Sequence, residues 1–249
     1  MACASLTRLY SDRALHAGAR LQLAAAQTHH LRNVLRLGAG ARIALFNGSD
    51  GEWWGEIERL GKDDGLVQVT ERRRPARPEP DLWLAFAPVK RARIDYLVEK
   101  ASELGVSLMV PTLTERTVVE RLNLDRLRAH ARAAAEQSER FTVPDIREPL
   151  ALGRLLAQWP GERRLLACLE SGDAPAIADR LAGERPGSWA VLTGPEGGFS
   201  DKELDGLVKL PFVCAVSLGP RVLRADTAAI AALSVLQACL GDWRTSRGA

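Results

Sequence analysis

The hydrophobic pattern changes character once along the chain. Up to residue 74 it is short and alternating. LQLAA, ARIALFNG, EWWGEIERL and LVQVTERR exchange apolar and polar residues in runs of a few positions, separated by turns at Gly38–Gly40, Asn47–Gly51 and Gly61–Gly65. A period of two turns one face of a strand to a core and the other to water, so these runs predict half-buried strands. Residues 28–37 (THHLRNVLRL) depart from it. Leu31, Val34 and Leu35 follow the i, i+3, i+4 spacing of a helix, and His30, Arg32, Asn33 and Arg36 fall largely outside that stripe. The expectation is a small β-barrel carrying one helix.

Residues 72–80 read RRRPARPEP. Proline lacks an N–H and fixes φ, so this stretch cannot be a helix interior or a central strand and reads as extended. It divides a domain at 1–74 from one at 81–249, with 75–80 as linker. Past it, nearly continuous apolar runs alternate with amphipathic ones. LWLAFAPV, VSLMVPTL, RRLLACLE, SWAVLTG and CAVSLG predict strands. IDYLVEKASELG predicts a helix closed by Gly105, and NLDRLRAHARAAAEQSER one capped by Asn123. LGRLLAQW, APAIADRLA, SDKELDGLVKL (capped by Ser200) and DTAAIAALSVLQACL predict four more. Apolar strands between amphipathic helices indicate an α/β domain with a mainly parallel sheet.

Composition narrows the classes. With 46% hydrophobic and 26% charged residues in 249, the chain is globular rather than disordered. No stretch approaches the ~20 apolar residues of a membrane span, and the N-terminus has no apolar run behind a basic start, so a cytoplasmic protein is expected. Cys3, Cys168, Cys214 and Cys239 are far apart, and His16, His29, His30 and His130 form no metal signature, so neither a disulfide framework nor a metal is expected. The net charge of +3 arises wholly in residues 1–74, where 11 Lys and Arg face 8 Asp and Glu. Of the 34 cations 29 are arginine, the side chain suited to phosphate forks and base stacking.

Two glycine-bearing turns carry the candidate chemistry. VLTGPEGGFS, residues 191–200, leaves a strand and enters a helix, where open α/β sheets bind ligands. Its glycines allow close backbone approach, and Glu196 is a lone carboxylate within it. VSLGPRVLRADTA, residues 216–228, also follows a strand and delays the last helix by about eight residues, longer than such a connection needs. Asp226 or Thr227 is placed to cap that helix. Arg221 and Arg224 stand ready for an anion or a base. A third group, Glu136, Gln137 and Arg140, is spaced to meet on one helix face. No GxxxxGK[ST], strand-following GxGxxG or GxSxG is present, which disfavours a phosphate-loop NTPase, a dinucleotide dehydrogenase and a serine hydrolase.

HHLRNVLRLGAGARIALFNG, VKRARIDYLVEKASELGVSLMVPTLTERTVV, AEQSERFTVPDI, LTGPEGGFSDKEL and SLGPRVLRADTAAIAAL occur in this order over almost the whole chain. In these segments the chain resembles the RsmE family of bacterial 16S rRNA uridine-N3 methyltransferases, members of the SPOUT superfamily. The resemblance implies a PUA-like RNA-binding β-barrel followed by an α/β methyltransferase domain tied in a trefoil knot. It implies S-adenosylmethionine held in the knot loops and a homodimer with sites near the subunit interface. By it, Leu192, Thr193, Gly194, Glu196, Gly197 and Gly198 belong to one cofactor loop, Leu218, Gly219, Leu223, Arg224 and Thr227 to the other, and Leu169 to a third wall. One departure is visible. Where the family has Thr-Glu after Leu-Arg, this chain has Ala225-Asp226.

Methyl transfer from a sulfonium asks the enzyme chiefly for alignment. The N3 proton must leave, so Arg224 is the candidate cation for the uridine anion and Glu196, with Asp226, a candidate proton acceptor. Arg8, His29, His30, Arg32, Asn33, Arg36, Gln137, Arg140 and Arg221 are the candidate contacts to 16S rRNA or the small subunit. Two rivals stay open on sequence: a related enzyme acting on tRNA or a ribose hydroxyl, and a non-catalytic RNA-binding assembly factor.

Overall fold

The computed structural model describes residues 7–119, 121–170 and 174–244. The chain forms two compact units, one of residues 1–78 with Ala135–Val143, the other of Glu79–Ala134 with Pro144–Ala249. Residues 135–143 thus cluster with the first unit, although the sequence sets them well past the prolines.

The first unit contains β1 (Arg8–Tyr10), β2 (Arg20–Leu23), α1 (Ala25–His29), a π-helical turn (His30–Val34), β3 (Arg42–Asn47), β4 (Gly51–Leu60) and β5 (Gly65–Arg74). The five strands form one curled sheet in the order β1-β3-β4-β5-β2. β1 and β3 are parallel and the other pairs antiparallel. Register shifts between β4 and β5 are of the kind that bends and twists a ribbon. Leu21, Leu23, Leu31, Ile43, Leu45, Ile57, Val67 and Val69 fill the concave side.

Arg72–Arg74, the extended residues just before the 75–80 linker, are the end of β5. Beyond Val69, which still bonds Gly18 and Ala19, the strand pairs with β4, and Glu52 on β4 binds the guanidinium groups of Arg73 and Arg74, which makes an arginine run tolerable there. The expected helical stripe fails. Leu31 is buried, but Val34 is 59% and Leu35 39% exposed. The turn is π-helical, Leu35 N–H bonding His30 O, and the wider turn rotates Val34 and Leu35 off the buried face. Arg36 then ends it with φ 55°, and Leu37 N–H returns to Leu31 O.

The second unit runs β6 (Leu82–Phe86), α2 (Arg91–Glu103), β7 (Leu108–Leu113), α3 (Leu124–Gln137, its last residues counted with the first unit), β8 (Asp145–Ile146), β9 (Leu150–Ala151), α4 (Leu152–Ala157), β10 (Arg164–Cys168), α5 (Ile177–Ala182), β11 (Trp189–Thr193), α6 (Asp201–Val208), β12 (Val213–Val216) and α7 (Ala225–Leu240). Its sheet is wholly parallel, in the order β12-β10-β11-β6-β7-β8, with β9 beside β7. β11 is buried along its whole length, as a central parallel strand with both faces covered must be. Asn123 Oδ1 accepts from Arg126 N–H at the start of α3, and Gly105, at φ 86°, follows α2. α7 covers the sheet with Ala229, Ala232, Leu233, Leu236 and Leu240, one face of a 3.6-residue period. No helix among the described residues is long and apolar enough to cross a membrane.

The strand order decides where a site can form. The chain reaches β7 and β8 on one side of β6, returns to lay down β10, and then inserts β11 between β10 and β6. β12 joins the outer side of β10. The carboxyl ends of β12, β10 and β11 therefore stand side by side, and the two glycine-bearing turns leave from the outer two.

Candidate functional site

Between those strand ends lies a cavity of about 180 Å³. β10 contributes Cys168 and, just past it, Leu169 and Glu170; β11 contributes Thr193 and, just past it, Gly194. The turn after β12 contributes Leu218 to Leu223, and the first turn of α7 closes the space with Ala225 and Ala228.

The β11 turn is fixed from several directions. Thr193 O accepts from Ala87 N–H at 3.0 Å, and Gly198 N–H donates to Pro195 O at 2.9 Å. Arg116 Nη1 donates to Gly197 O at 2.8 Å. Ser200 and Glu203 form a reciprocal capping box at the start of α6, the cap expected from sequence. At Gly194 a Cβ would lie 3.1 Å from the Phe199 ring, so the turn packs its own aromatic where a side chain would stand. The β12 turn is held at its entry. Ser217 O accepts from Ile177 N–H, and Ser217 N–H donates to Pro175 O. Gly219 follows at φ 103°, and a Cβ there would have no neighbour within 4 Å. Its backbone borders open space.

The ionisable groups of the cavity differ in kind. Burial pushes the Cys168 thiol up to about 12, so it stays protonated near neutrality. Glu170 and Arg221 are both exposed. Arg224, also exposed, occupies the N-cap position of α7 without a side-chain cap bond, and α7 begins before Asp226 and Thr227, neither of which is its cap. Asp226 Oδ1 is shut from solvent without a hydrogen-bond partner among the described residues.

The sequence from 77 to 237 matches the RNA methyltransferase domain family, and 23–70 matches the RNA methyltransferase PUA domain. The ribosomal RNA small subunit methyltransferase E of Rickettsia conorii is 30% identical over 229 residues, which are 91% of this chain and 93% of that protein. Its Synechocystis counterpart is 33% identical over 89% of this chain and 74% of its own length. The chain belongs to the ribosomal RNA small subunit methyltransferase E family. Solved structures agree. A putative methyltransferase of Legionella pneumophila, in complex with its bound cofactor SAM, superposes with TM-score 0.86 at 32% identity over 95% of this chain and 99% of that one. The methyltransferase E of Neisseria gonorrhoeae, bound to S-adenosyl methionine, gives TM-score 0.83 at 27% identity over 94% and 98% of the two chains.

In this family member the cavity gathers Leu169, Thr193, Gly194, Leu218, Gly219, Arg221 and Leu223 of the residues expected from sequence. It does not gather the rest. Leu192 is fully buried in the sheet core, because neighbours on a strand face opposite ways. Glu196 is exposed on the turn with its carboxylate 3.6 Å from Arg93, and neither it, Gly197, Gly198 nor Thr227 lines the cavity. Arg224 stands beside the lining rather than in it.

The expected RNA contacts divide as well. His29, His30, Arg32, Asn33, Arg36 and Gln137 are exposed, Arg32 donating to Gly61 O. Arg8 and Arg140 must be corrected, since they are only 6% and 7% exposed. Arg8 pairs with Glu52 at 2.8 Å and donates to Ala135 O, Glu136 O and Arg140 O, while Arg140 donates to Thr142 Oγ1. Arg140 does not share a helix face with Glu136 and Gln137, because α3 stops at Gln137 and Glu139 takes φ 63°; Glu136 Oε1 accepts from Tyr10 N–H. Sequence reasoning missed Glu52, which is wholly buried among Arg8, Arg73 and Arg74. It also missed Cys168 and Glu170. The place of β10 between β11 and β12 would have exposed both, and strand order is not written in a single sequence.

Proposed function

We propose that this chain methylates N3 of a specific uridine in 16S ribosomal RNA of the small subunit, with S-adenosylmethionine as methyl donor. The observation that carries the reading is the cavity at the ends of β10, β11 and β12, in a chain of this family and this fold. The residues present fit the donor. Gly219 turns bare backbone toward open space, Leu169, Leu218 and Leu223 offer apolar surface for a purine ring, and peptide groups of both turns supply hydrogen bonds to its edge. When bound, S-adenosylmethionine supplies a methyl group on a sulfonium, already activated toward a nucleophile.

The chain's own residues do the rest. The two turns hold the donor rigidly, so transfer becomes a matter of orientation. Arg224, beside the cavity, orients the uracil carbonyl oxygens and stabilises the anion formed as N3 loses its proton. The Cys168 thiol stays protonated and offers no nucleophile. N3 lies on the Watson–Crick edge, so the target uridine is unpaired or turned out of its helix. His29, His30, Arg32, Asn33, Arg36 and Gln137 in the first unit and Arg221 in the second supply RNA contacts, and no metal is called on. The outer face of α7, where Ala231, Val235 and Ala238 are apolar and not buried, is the proposed homodimer surface. The substrate places the enzyme in the cytoplasm, and the turns around the cavity are the proposed loops of the trefoil knot.

Mass mapping of small-subunit RNA from a strain lacking the gene tests the reading. Purified protein and S-adenosylmethionine should add the mass of one methyl group replacing one proton, at a single uridine. RNA left unchanged would overturn it.

A further inference from the structure

Among the described residues Glu170 is the only carboxylate lining the cavity, and it follows the central strand β10 between the two glycine-bearing turns. Its Oε2 would lie 3.3 Å from a Cβ placed on Gly198, so the carboxylate leans over the β11 turn. No hydrogen bond or ion pair to another described residue occupies it. The other acid-bearing side chain of the lining, Cys168, stays a neutral thiol. Among the described residues the cavity therefore contains one anionic group and one cationic group, Arg221.

Resting on the reading above, we propose that Glu170 is a specificity-determining residue that distinguishes the methyl donor from the spent product by charge. The sulfonium gives the donor one positive charge more than the neutral thioether left after transfer. Adenosine and the amino-acid tail are common to both, so any contact to them cancels when the two ligands are compared. A cavity of about 180 Å³ is only several ångströms across, so a sulfonium held anywhere in it feels the Glu170 field. Solvent at the rim screens that field without abolishing it. When the methyl group leaves, the attraction disappears with the charge. Glu170 thereby favours loading of fresh donor and release of product, without touching the atoms that react.

The test is isothermal titration of wild type and Glu170→Gln, which keeps the shape and removes the charge. Three ligands are used: S-adenosylmethionine, its demethylated thioether, and a non-reactive analogue with a protonated amine in place of the sulfonium. The two cationic ligands should bind the variant about fivefold more weakly, with the thioether changed less than about twofold. Equal weakening of all three would mean that Glu170 holds a part common to them and would overturn the proposal, as would three unchanged affinities. Wild type that binds none of the three would overturn the donor-site reading itself, a result readily told apart from the others.

Discussion

The first unit and the turns around the cavity of the second use arginine in opposite ways. In the first, Arg8, Arg73 and Arg74 converge on Glu52, a carboxylate with no exposed surface, and Arg8 also satisfies three carbonyls of residues 135–140. These guanidinium groups hold chain segments together. In the second, Arg221 and Arg224 are exposed beside the cavity, and no carboxylate is paired with either among the described residues. On the proposed function, their charge is left for RNA and the reacting uridine. An arginine-rich sequence thus contains two populations, and a buried carboxylate within reach separates them. Residue type alone does not.

The contrast can be broken most forcefully at Glu52. Glu52→Ala leaves Arg8 buried without its counter-ion and should cost about 3–5 kcal/mol, read from urea unfolding. A loss under about 1 kcal/mol would show that the cluster is not structural. The same carboxylate predicts a pH effect. Burial raises its pKa, but Arg74, Arg73 and Arg8 together outweigh burial and hold it below the ordinary glutamate range. Its contribution is therefore complete above that range and lost as pH falls through the lowered folded value. Glu52→Gln should show a flatter decline of stability on acidification than wild type.

Next in size is Arg224→Ala. The methylation rate should fall about 10²-fold, with affinity for S-adenosylmethionine changed less than about threefold and unfolding unchanged. Equal single-turnover rates would remove Arg224 from the reaction. Arg221→Ala is the mildest. It should weaken RNA binding severalfold, lower the salt slope by about one and alter stability by less than about 0.5 kcal/mol. If Arg221→Ala instead destabilised the fold as Glu52→Ala does, the division between the two populations would be lost.

Much of this was legible in the residues. The apolar runs of the second unit gave its strands, and Asn123, Ser200 and Gly105 marked helix ends where local hydrogen bonding, visible in sequence, decides the outcome. The two glycine turns stood out because a turn that must admit a ligand needs backbone freedom. What was hidden depends on contacts between distant segments. Leu31, Val34 and Leu35 satisfy a helical stripe, yet one π turn displaces two of them. Arg8 and Arg140 look like surface cations until Glu52 and the carbonyls after α3 are brought to them. Arg72–Arg74 read only as extended, because their partner lies twenty or so positions earlier, on β4. Glu170 and Cys168 became site residues only when β10 came to lie between β11 and β12.

On the proposed function the donor lies in the cavity that Ala228 helps to close. Isothermal titration of S-adenosylmethionine into wild type and Ala228→Phe tests this directly, with circular dichroism and urea unfolding as controls for the fold. An added aromatic ring fills much of the available space, so wild type should bind one donor per chain and the variant at least about thirtyfold more weakly. A well-folded variant that binds the donor as tightly as wild type would contradict the account.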